Sequence, residues 1–290
     1  MEWDPTQFFR EDEVESWQPF ALLVLNQPIN ETALRALRKH ALATVCADGG
    51  ANRFFEWAKS RGAENTDLPT TIIGDLDSIR PELRSHYTKL GVNIVQDDDQ
   101  YSTDFTKSLR YIQQHERDIL SATDHGHGHL SILILGGLGG RVDQAFSQIH
   151  HLYTMNQKQA EAKGDGKLYL ISEESITFIL QPGMNTIHVP RTNRPDPGPS
   201  FNSGGRHPPS RDGNEHGIYL LEENVGIIPL SGPARITTSG FEWDVEDWKT
   251  EIGGQISTSN HIRAETVSVQ TNAPVLFTVE LAKRLKRSAR

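Results

Sequence analysis

Acidic residues and glycines cluster directly after four short apolar segments in the first half of the chain. The clusters are Asp48-Gly49-Gly50-Ala51-Asn52, Gly74-Asp75-Leu76-Asp77-Ser78, Asp97-Asp98-Asp99-Gln100 and Gly136-Gly137-Leu138-Gly139-Gly140-Arg141-Val142-Asp143. A single acid after a strand is usually a helix cap. Four such clusters, however, would meet at one edge of an open α/β sheet, where ligands bind outside the carboxyl ends of the strands. The sequence therefore predicts a shared binding site at this edge.

The residue types in these clusters fit a metal ion and a polyphosphate. Asp75 and Asp77 lie two positions apart, so a turn can direct both carboxylates at one hard cation. Mg²⁺ prefers a few carboxylates together with phosphate oxygens. The glycines leave backbone N–H groups uncovered at helix N-termini, where the helix dipole favours phosphate. Because carboxylates alone would repel a nucleotide, such a site requires the bound cation.

Known glycine-rich nucleotide motifs do not account for this site. The pattern G-x-x-x-x-G-K-[ST] is absent, and GGLGGRVDQ does not match G-x-G-x-x-G in register. Lys107 is a candidate phosphate ligand on a helix that Thr103 or Ser102 caps, with Asp104 in its first turn. The alternative interpretation is a helix-start acid followed by a surface lysine. The His/Gly segment 124–129 is interpreted as a flexible polar loop rather than a metal site.

The first half of the chain alternates apolar strands with amphipathic helices. The predicted strands are residues 20–25, 44–47, 70–73, 92–95 and 130–135, and the predicted helices are residues 31–41, 51–59, 80–90, 103–115 and 141–157. Apolar runs without alternation, separated by helices, indicate a doubly wound, mainly parallel α/β sheet that is covered on both faces. We assign this domain, with the nucleotide site, to residues 18–160.

Short strands rich in Thr, Val and Ile replace this pattern in the second half. They are predicted at residues 169–172, 176–180, 186–189, 226–229, 234–238, 253–259, 266–270 and 275–281. The pattern is typical of an antiparallel β-sandwich or barrel, so the predicted fold class is α/β plus all-β, with an antiparallel β-sandwich domain at 167–290. The boundary is placed at 160–166, and the Pro- and Gly-rich segment 191–217 is expected to form a mobile loop.

Composition excludes several classes of protein. Against 29 Lys+Arg stand 38 Asp+Glu, a formal net charge of −9, which argues against binding to a nucleic-acid backbone. The one cysteine, Cys46, excludes an intramolecular disulfide framework and is expected to be buried. The acidic N-terminus fits neither a signal nor a transit peptide, and no apolar run reaches the roughly 20 residues of a membrane span. We expect a cytoplasmic protein that binds neither nucleic acid nor membrane.

Seven short segments together carry a specific family resemblance. They are CADGGANRFF (46–55), IIGDLDSIRPE (72–82), DQYSTDFTKSL (99–109), LGGLGGRVDQ (135–144), TTSGFEWDV (237–245), GGQISTSN (253–260) and VSVQTNAPVLFTVEL (267–281). In this order they resemble the thiamin pyrophosphokinase family of the eukaryotic type, and the likeness covers nearly all of residues 19–281. A motif such as GDLDS is weak alone, but the ordered set is highly specific.

The resemblance implies an activity and an assembly. Members of this family transfer the pyrophosphoryl group of ATP to the hydroxyethyl oxygen of thiamine, with Mg²⁺, and release AMP. It also implies an ATP-binding α/β domain, a C-terminal β-sandwich domain that binds thiamine, and a homodimer whose thiamine sites lie between subunits.

The resemblance also assigns residues to sites. Carried over by motif, the residues that would hold Mg²⁺ and the phosphates are Asp75, Asp77 and Asp104, with Asp48 and Asp143 completing the acidic cluster. Lys107, suggested above by its position, joins this catalytic group. The residues at the nucleotide would be Gly49, Asn52, Gly74, Ser78, Thr103, Gly137 and Arg141. The residues at thiamine would be Gln100, Trp243, Ser257 and Asn260. Without the resemblance, Trp243 would be interpreted as a core aromatic.

One position departs from the family pattern. Members commonly have an acid where this chain has Tyr101, so any role of that carboxylate is in question here, although Asp97 and Asp98 lie close in the sequence. Two other functions stay open at this point. One is a different Mg²⁺-dependent phosphoryl transferase that acts on a small alcohol, and the other is a non-catalytic module that senses the nucleotide or thiamine.

Overall fold

The computed structural model describes residues 1–10, 18–121, 128–161, 166–195 and 219–287. In chain order its strands are β1 (Glu2–Trp3), β2 (Phe20–Val24), β3 (Ala43–Ala47), β4 (Thr71–Gly74), β5 (Asn93–Gln96), β6 (Ser131–Leu135), β7 (Leu168–Ile171), β8 (Ser175–Leu180), β9 (Gly183–His188), β10 (Thr192–Asn193), β11 (Leu221–Pro229), β12 (Ala234–Ser239), β13 (Trp248–Thr250), β14 (Ser257–His261), β15 (Thr266–Thr271) and β16 (Val275–Leu281). Its α-helices are α1 (Glu31–Arg38), α2 (Gly50–Lys59), α3 (Pro81–Lys89), α4 (Asp104–Gln114), α5 (Glu116–Ser121) and α6 (Val142–Glu161).

The chain divides into two compact units. The first, named here the α/β unit, comprises Gln7–Ile179 and Arg287–Arg290, and the second, the β unit, comprises Met1–Thr6 and Leu180–Lys286. The division falls after the segment 160–166 that the sequence suggested, because β7 pairs with β6 and β8 pairs with β7. Most of the predicted loops at 124–129 and 191–217 lies outside the described residues.

The α/β unit contains the predicted parallel sheet. Its strand order is β8-β7-β6-β2-β3-β4-β5, and every pairing is parallel except that of β7 with β8. All residues of β2, β3 and β6 are buried, Cys46 among them, as expected for a sheet covered on both faces. The chain order reverses between β2 and β6, so the carboxyl ends of these strands form the topological switch point where such sheets bind ligands.

Local sequence explains where helix α1 of this unit begins and which of its residues are buried. The Asn30 side chain caps α1 by accepting a hydrogen bond from the N–H of Ala33 at 3.0 Å, and Leu34 and Leu37 bury the same helix against the core. The short helix α5 was not predicted, because its six residues give too little periodicity.

The β unit consists of two sheets, which confirms the predicted sandwich class. One sheet has the order β1-β9-β15-β12-β13, and the other contains β10-β11-β16, with β14 paired to β11. Burial alternates along β12 and β15, so that each strand gives one face to the core. Rings of Phe241 and Phe277 pack with centroids 6.4 Å apart.

Most strand pairings of the β unit are antiparallel, as predicted, and two short pairings are parallel. β1 pairs with β9 in parallel, and β10 pairs with β11 in parallel. The sequence analysis missed β1, β10 and β13, which are two or three residues long and therefore show no periodicity. Across the described part of the chain, the helices fall short of the length and apolar character that a membrane crossing needs.

Candidate active site

Three carboxylates meet at the carboxyl edge of the parallel sheet. Asp48 follows β3, Asp75 follows β4, and Asp104 begins α4. One oxygen of each can be chosen so that all three lie within 4.8 Å of one another. Oxygen atoms at this spacing suit a hard divalent cation. Two of the four predicted clusters, those of Asp48 and Asp75, thus contribute a carboxylate to this three-carboxylate group, and Asp104 joins them from the start of α4.

Asp48 is fixed in the group by backbone donors from the neighbouring loop. Its Oδ2 accepts from the N–H of Ser78 at 2.9 Å, and its Oδ1 accepts from the N–H of Ile79 at 3.0 Å. The residue has a left-handed φ of 40°, which an Asp tolerates better than most side chains. The Asp48 carboxylate therefore joins the loop after β3 to the loop after β4.

Gly74 has no room for a side chain. A Cβ atom at this position would lie 2.6 Å from the Cβ of Asp48 and 2.9 Å from Oδ1 of Asp104. The glycine at the end of β4 thus lets two of the three carboxylates approach each other. The structure assigns Gly74 a spacing role within the three-carboxylate group.

Burial shifts the protonation of two members of the group. Burial raises the pKa of Asp48, and the nearby Asp104 carboxylate raises it further, while the hydrogen bonds from Ser78 and Ile79 oppose the rise. Burial also raises the pKa of Asp104, followed by the charge of Asp75, while Lys107 opposes that rise. Burial and the neighbouring carboxylate therefore make the ionised forms of Asp48 and Asp104 costly, and a bound cation would offset this cost.

Lys107 is the cation nearest this group in the described residues. Its side chain is only 2% exposed, and its Nζ lies 3.4 Å from Oδ1 of Asp104. The cap predicted for α4 is confirmed, since Thr103 Oγ1 accepts from the N–H of Thr106 at 3.3 Å. Lys107 is therefore a buried lysine paired with Asp104, and the alternative interpretation as a surface lysine was wrong.

Asp77, predicted to share the metal with Asp75, lies outside the three-carboxylate group. Its side chain is exposed, and its Oδ1 accepts a 2.8 Å hydrogen bond from Ser78 Oγ. Its backbone N–H donates to Oδ1 of Asp75 at 3.2 Å. The turn therefore brings Asp77 next to Asp75 through its backbone rather than through its carboxylate.

The predicted nucleotide residues Asn52 and Gly49 support the same loops. Asn52 Nδ2 donates to the carbonyl oxygen of Ser78 at 2.8 Å, and its Oδ1 accepts from the N–H of Arg80 at 3.0 Å. At Gly49, a Cβ would lie 2.2 Å from Nδ2 of Asn26. Both residues therefore set the distance between the loops after β2, β3 and β4.

The glycine-rich segment after β6 places its charged residues apart from the three carboxylates. Arg141 donates to both carboxylate oxygens of Asp143, at 3.1 Å and 2.6 Å, and both side chains are exposed. The arginine lowers the pKa of Asp143. Gly137 sits against Leu170, whose Cδ1 would lie 2.7 Å from a Cβ there. Asp143 therefore pairs with Arg141 rather than extending the acidic cluster.

Gln100 and Tyr101 lie on an exposed loop before α4. Gln100 Nε2 donates to the carbonyl oxygen of Asp98 at 3.5 Å, and Tyr101 is 101% exposed. The N–H of Tyr101 donates to Oδ1 of Asp99 at 2.9 Å. The described contacts leave both side chains on the surface of the α/β unit.

The β unit contains a separate cavity of about 210 Å³ that brings the other predicted thiamine residues together. Its lining residues are Ile236, Thr238, Trp243, Val245, Trp248, Ile256, Ser257, Thr258 and Asn260. Trp243 is 56% exposed, so it is not the core residue that its sequence context alone suggested. The sequence analysis missed Trp248, whose only signal was its aromatic character in a β-rich segment.

Asn260 fixes the backbone of Trp243 rather than presenting a free amide. Its Oδ1 accepts from the N–H of Trp243 at 3.2 Å, and its Nδ2 donates to the carbonyl oxygen of Trp243 at 3.0 Å. Asp244, also missed, closes the same turn by accepting from Thr238 Oγ1 at 3.0 Å and from the N–H of Gly240 at 3.0 Å. The polar residues of this turn therefore hold Trp243 at the cavity.

Known proteins match this chain along nearly its full length. The family model described as thiamin pyrophosphokinase, catalytic domain, matches residues 34–163, and the one described as thiamin pyrophosphokinase, vitamin B1 binding domain, matches residues 213–276. Thiamine pyrophosphokinase 1 of Arabidopsis thaliana is 30% identical over 286 residues, which cover 94% of this chain and 90% of the relative. Thiamine pyrophosphokinase 3 of Oryza sativa subsp. japonica is 32% identical over 279 residues, with 90% and 87% covered.

A solved structure extends the match to the fold. The thiamin pyrophosphokinase from Candida albicans superposes with a TM-score of 0.74 at 27% identity, covering 97% of this chain and 92% of that one. The convergent acids, the Trp243 cavity and these similarities agree. The chain belongs to the thiamin pyrophosphokinase family.

Proposed function

We propose that this protein transfers the pyrophosphoryl group of ATP to the hydroxyethyl oxygen of thiamine, giving thiamine diphosphate and AMP. The observation that carries the proposal is the three-carboxylate group of Asp48, Asp75 and Asp104 at the carboxyl edge of a doubly wound sheet. Such a group suits the cation of a metal–polyphosphate substrate. The family assignment supplies thiamine as the acceptor.

Mg²⁺ fits the residues that are present. The donors are all carboxylate oxygens, two of the three acids have pKa values raised by burial, and Gly74 keeps the space between Asp48 and Asp104 free of a side chain. We propose that Asp75 and Asp104, with Asp48, hold the ion. Asp77 is proposed to reach it from the adjacent turn. The bound cation would neutralise the charge that develops on the transferred group.

The protein's own part in the reaction is mainly positioning. The reaction is an in-line attack of a primary alcohol on the β-phosphorus, so the nucleotide and the alcohol must be aligned. We propose that Gly137 and Arg141 after β6, and Gly49, Asn52, Ser78 and Thr103 at the other loop ends, lie against the nucleotide. Lys107 offsets the charge of Asp104. Asp104 or Asp75 accepts the proton of the alcohol.

Thiamine is proposed to bind at the Trp243 cavity. Its thiazolium ring carries a permanent positive charge, and an indole face attracts such a cation. Ser257 lines the same cavity, and Asn260 holds the tryptophan. Gln100 stays a proposed thiamine contact.

We propose a homodimer in which a second copy completes each thiamine site. In support, the β unit leaves large apolar side chains exposed at or near the cavity, with Trp243 at 56%, Ile252 at 71% and Ile256 at 43%. Sedimentation of the protein at micromolar concentration should give the mass of two chains. Location in the cytoplasm is also proposed, since the single cysteine is a free, buried thiol.

The test is one incubation of the full chain with ATP, Mg²⁺ and thiamine, in which nucleotides and thiamine esters are resolved together. The proposal expects AMP and thiamine diphosphate in equal amounts. ADP with thiamine monophosphate would instead indicate a kinase that uses the same acids. Binding of both ligands without turnover would indicate a sensing module, and Tyr101→Asp would then test whether the missing acid is the cause.

A further inference from the structure

The indole of Trp243 is supported by a side chain that does not line the cavity. The rings of Trp243 and His261 lie with their centroids 5.1 Å apart and their planes at 43°. His261 follows Asn260 on β14, and Asn260 already holds the backbone of Trp243 on both sides. Consecutive residues of one strand thus contact the backbone and the ring of the same tryptophan.

The imidazole of His261 is itself held in place. Its Nδ1 lies 2.6 Å from Oε2 of Glu242, the residue directly before Trp243. Arg263 donates to the same Glu242 oxygen through Nη2 and to Glu223 on β11 through Nη1. The pairs His261–Glu242 and Arg263–Glu242 therefore join the end of β14 and the residues just after it to the turn that carries Trp243. His261, Glu242, Arg263 and Glu223 form one network of hydrogen bonds and ion pairs. This network contacts the Trp243 ring through His261.

The indole of Trp243 is 56% exposed, so more than half of its surface is open to solvent. A ligand that stacks on such a ring must immobilise it, and this costs affinity unless the ring is already held. The ring of His261 packs against this indole, and Glu242 and Arg263 hold the His261 ring in turn. The network therefore preorganises the aromatic surface of the cavity.

We propose that His261 is a positioning residue for thiamine, which fixes the indole of Trp243 in the orientation that accepts a planar cationic ring. The inference rests on the proposed function for the identity of the ligand. It assigns His261 no contact with thiamine, since His261 is absent from the cavity lining. Its effect belongs to thiamine binding and leaves the ATP site in the α/β unit unchanged.

The experiment uses the full chain with His261→Ala, which removes the ring, and His261→Phe, which keeps an aromatic ring without the hydrogen bond to Glu242. The control is His188→Ala. His188 is in the same unit and makes the same kind of pair, with its Nε2 2.6 Å from Oε2 of Glu2, but it does not contact Trp243. Initial rates are measured with thiamine and ATP varied separately, and thiamine binding is measured by calorimetry without ATP.

We expect His261→Ala to raise the thiamine KM and the thiamine Kd about 3- to 10-fold, the range for one side chain that must be immobilised on binding. The ATP KM and kcat should stay near wild type. His261→Phe keeps the ring contact but not the hydrogen bond to Glu242, so it should restore only part of the lost affinity, and His188→Ala should match wild type.

Two results would overturn the proposal. One is a thiamine KM and Kd in His261→Ala equal to those of wild type. The other is a parallel loss of thiamine affinity, ATP affinity and thermal stability that His261→Phe does not rescue, which would indicate a general folding role. If wild type releases no AMP, the proposed function fails, and calorimetry decides the inference alone. Weaker thiamine binding by His261→Ala than by wild type would then support it, and no thiamine binding by wild type would refute it.

Discussion

At the scale of single residues, Asp48 has two roles: it holds a loop of the site through hydrogen bonds, and it adds one carboxylate to the site. Its two oxygens accept hydrogen bonds from Ser78 and Ile79, and it still contributes to the three-carboxylate group. Replacing it would therefore disturb loop structure and charge together. Asp75 accepts only the N–H of Asp77 among its described hydrogen bonds, so it gives a cleaner test of the metal role.

Asp75→Asn should lower kcat at least 100-fold, about 2.7 kcal/mol of transition-state stabilisation, because one anionic metal ligand becomes neutral. The thermal midpoint should change little. Asp118→Asn, an exposed acid on α5, is the matched control and should keep wild-type turnover. A folded Asp75→Asn variant with near-normal turnover would refute the metal role.

Protons should compete with Mg²⁺ at this group. The pKa of Asp48 and that of Asp104 are raised above the ordinary 3.8, so the folded protein binds these protons more tightly than the unfolded chain. Without Mg²⁺, the contribution of the two acids to the free energy of unfolding therefore increases as pH falls through the raised pKa values, and is lost above them.

With Mg²⁺ the sign reverses, because the ion needs the ionised carboxylates. The rise in thermal midpoint on adding Mg²⁺ should be largest at neutral pH, where the acids are ionised, and should shrink as the pH falls toward their raised pKa values. Thermal scans with and without MgCl₂ across this range check the prediction. An increment that does not depend on pH would contradict it.

Trp243→Ala should raise the thiamine KM and leave the ATP KM nearly unchanged, because the lost cation–π contact, about 0.5–2 kcal/mol, concerns thiamine alone. Trp243→Phe keeps an aromatic face and should lose less. The measurement is a pair of KM values for each variant. Equal rises of both KM values would indicate a damaged fold.

At the scale of elements, the end of β4 shows why a strand must stop in glycine here. Gly74→Ala would push a methyl group against Asp48 and Asp104, an overpacking that costs roughly 1–3 kcal/mol. We expect the variant to have a lower thermal midpoint than wild type. We also expect Mg²⁺ to raise its thermal midpoint by less than it raises that of wild type.

Gly139→Ala is the control for this change. A Cβ at Gly139 would meet only Glu173, at 3.5 Å, which is an ordinary contact. Its thermal midpoint and its Mg²⁺ increment should stay near wild type. If Gly74→Ala kept the wild-type increment, the spacing role of the glycine would be wrong.

The parallel sheet and its convergent acids could be predicted from the sequence because unbroken apolar strands and residues just after them obey a general rule of α/β folds. The separate role of each acid could not be predicted from the sequence. Asp48 accepts hydrogen bonds from a loop 30 residues away, and Asp143 pairs with Arg141 instead of joining the three-carboxylate group. Such pairings depend on tertiary geometry rather than on spacing along the chain.

At the scale of the whole molecule, the chain contributes its first residues to the β unit. Trp3 on β1 is 2% exposed, and its Nε1 donates to Oδ1 of Asn185 at 3.1 Å. No periodicity reveals a two-residue strand whose partner, β9, lies about 180 positions later.

Trp3→Ala should destabilise the β unit by about 3–5 kcal/mol, the usual cost of removing a large buried aromatic. The free energy of unfolding in urea checks this value. Glu2→Gln in the same strand is the control. Glu2 is exposed and pairs with His188, so its change should leave the free energy of unfolding near that of wild type. A Trp3→Ala variant as stable as wild type would show that β1 is dispensable.

The pairing of β1 with β9 also determines an order of events during synthesis. Translation produces β1 first, then the strands and helices of the α/β unit, and only afterwards β9 at residues 183–188. The α/β unit can therefore fold on the ribosome before β9, the pairing partner of β1, has been synthesised. The pairing of β1 with β9 closes a long loop, so we expect it to form late and slowly. A bulky group attached directly before β1 would thus slow the folding of the β unit, although most of that unit lies at the other end of the chain.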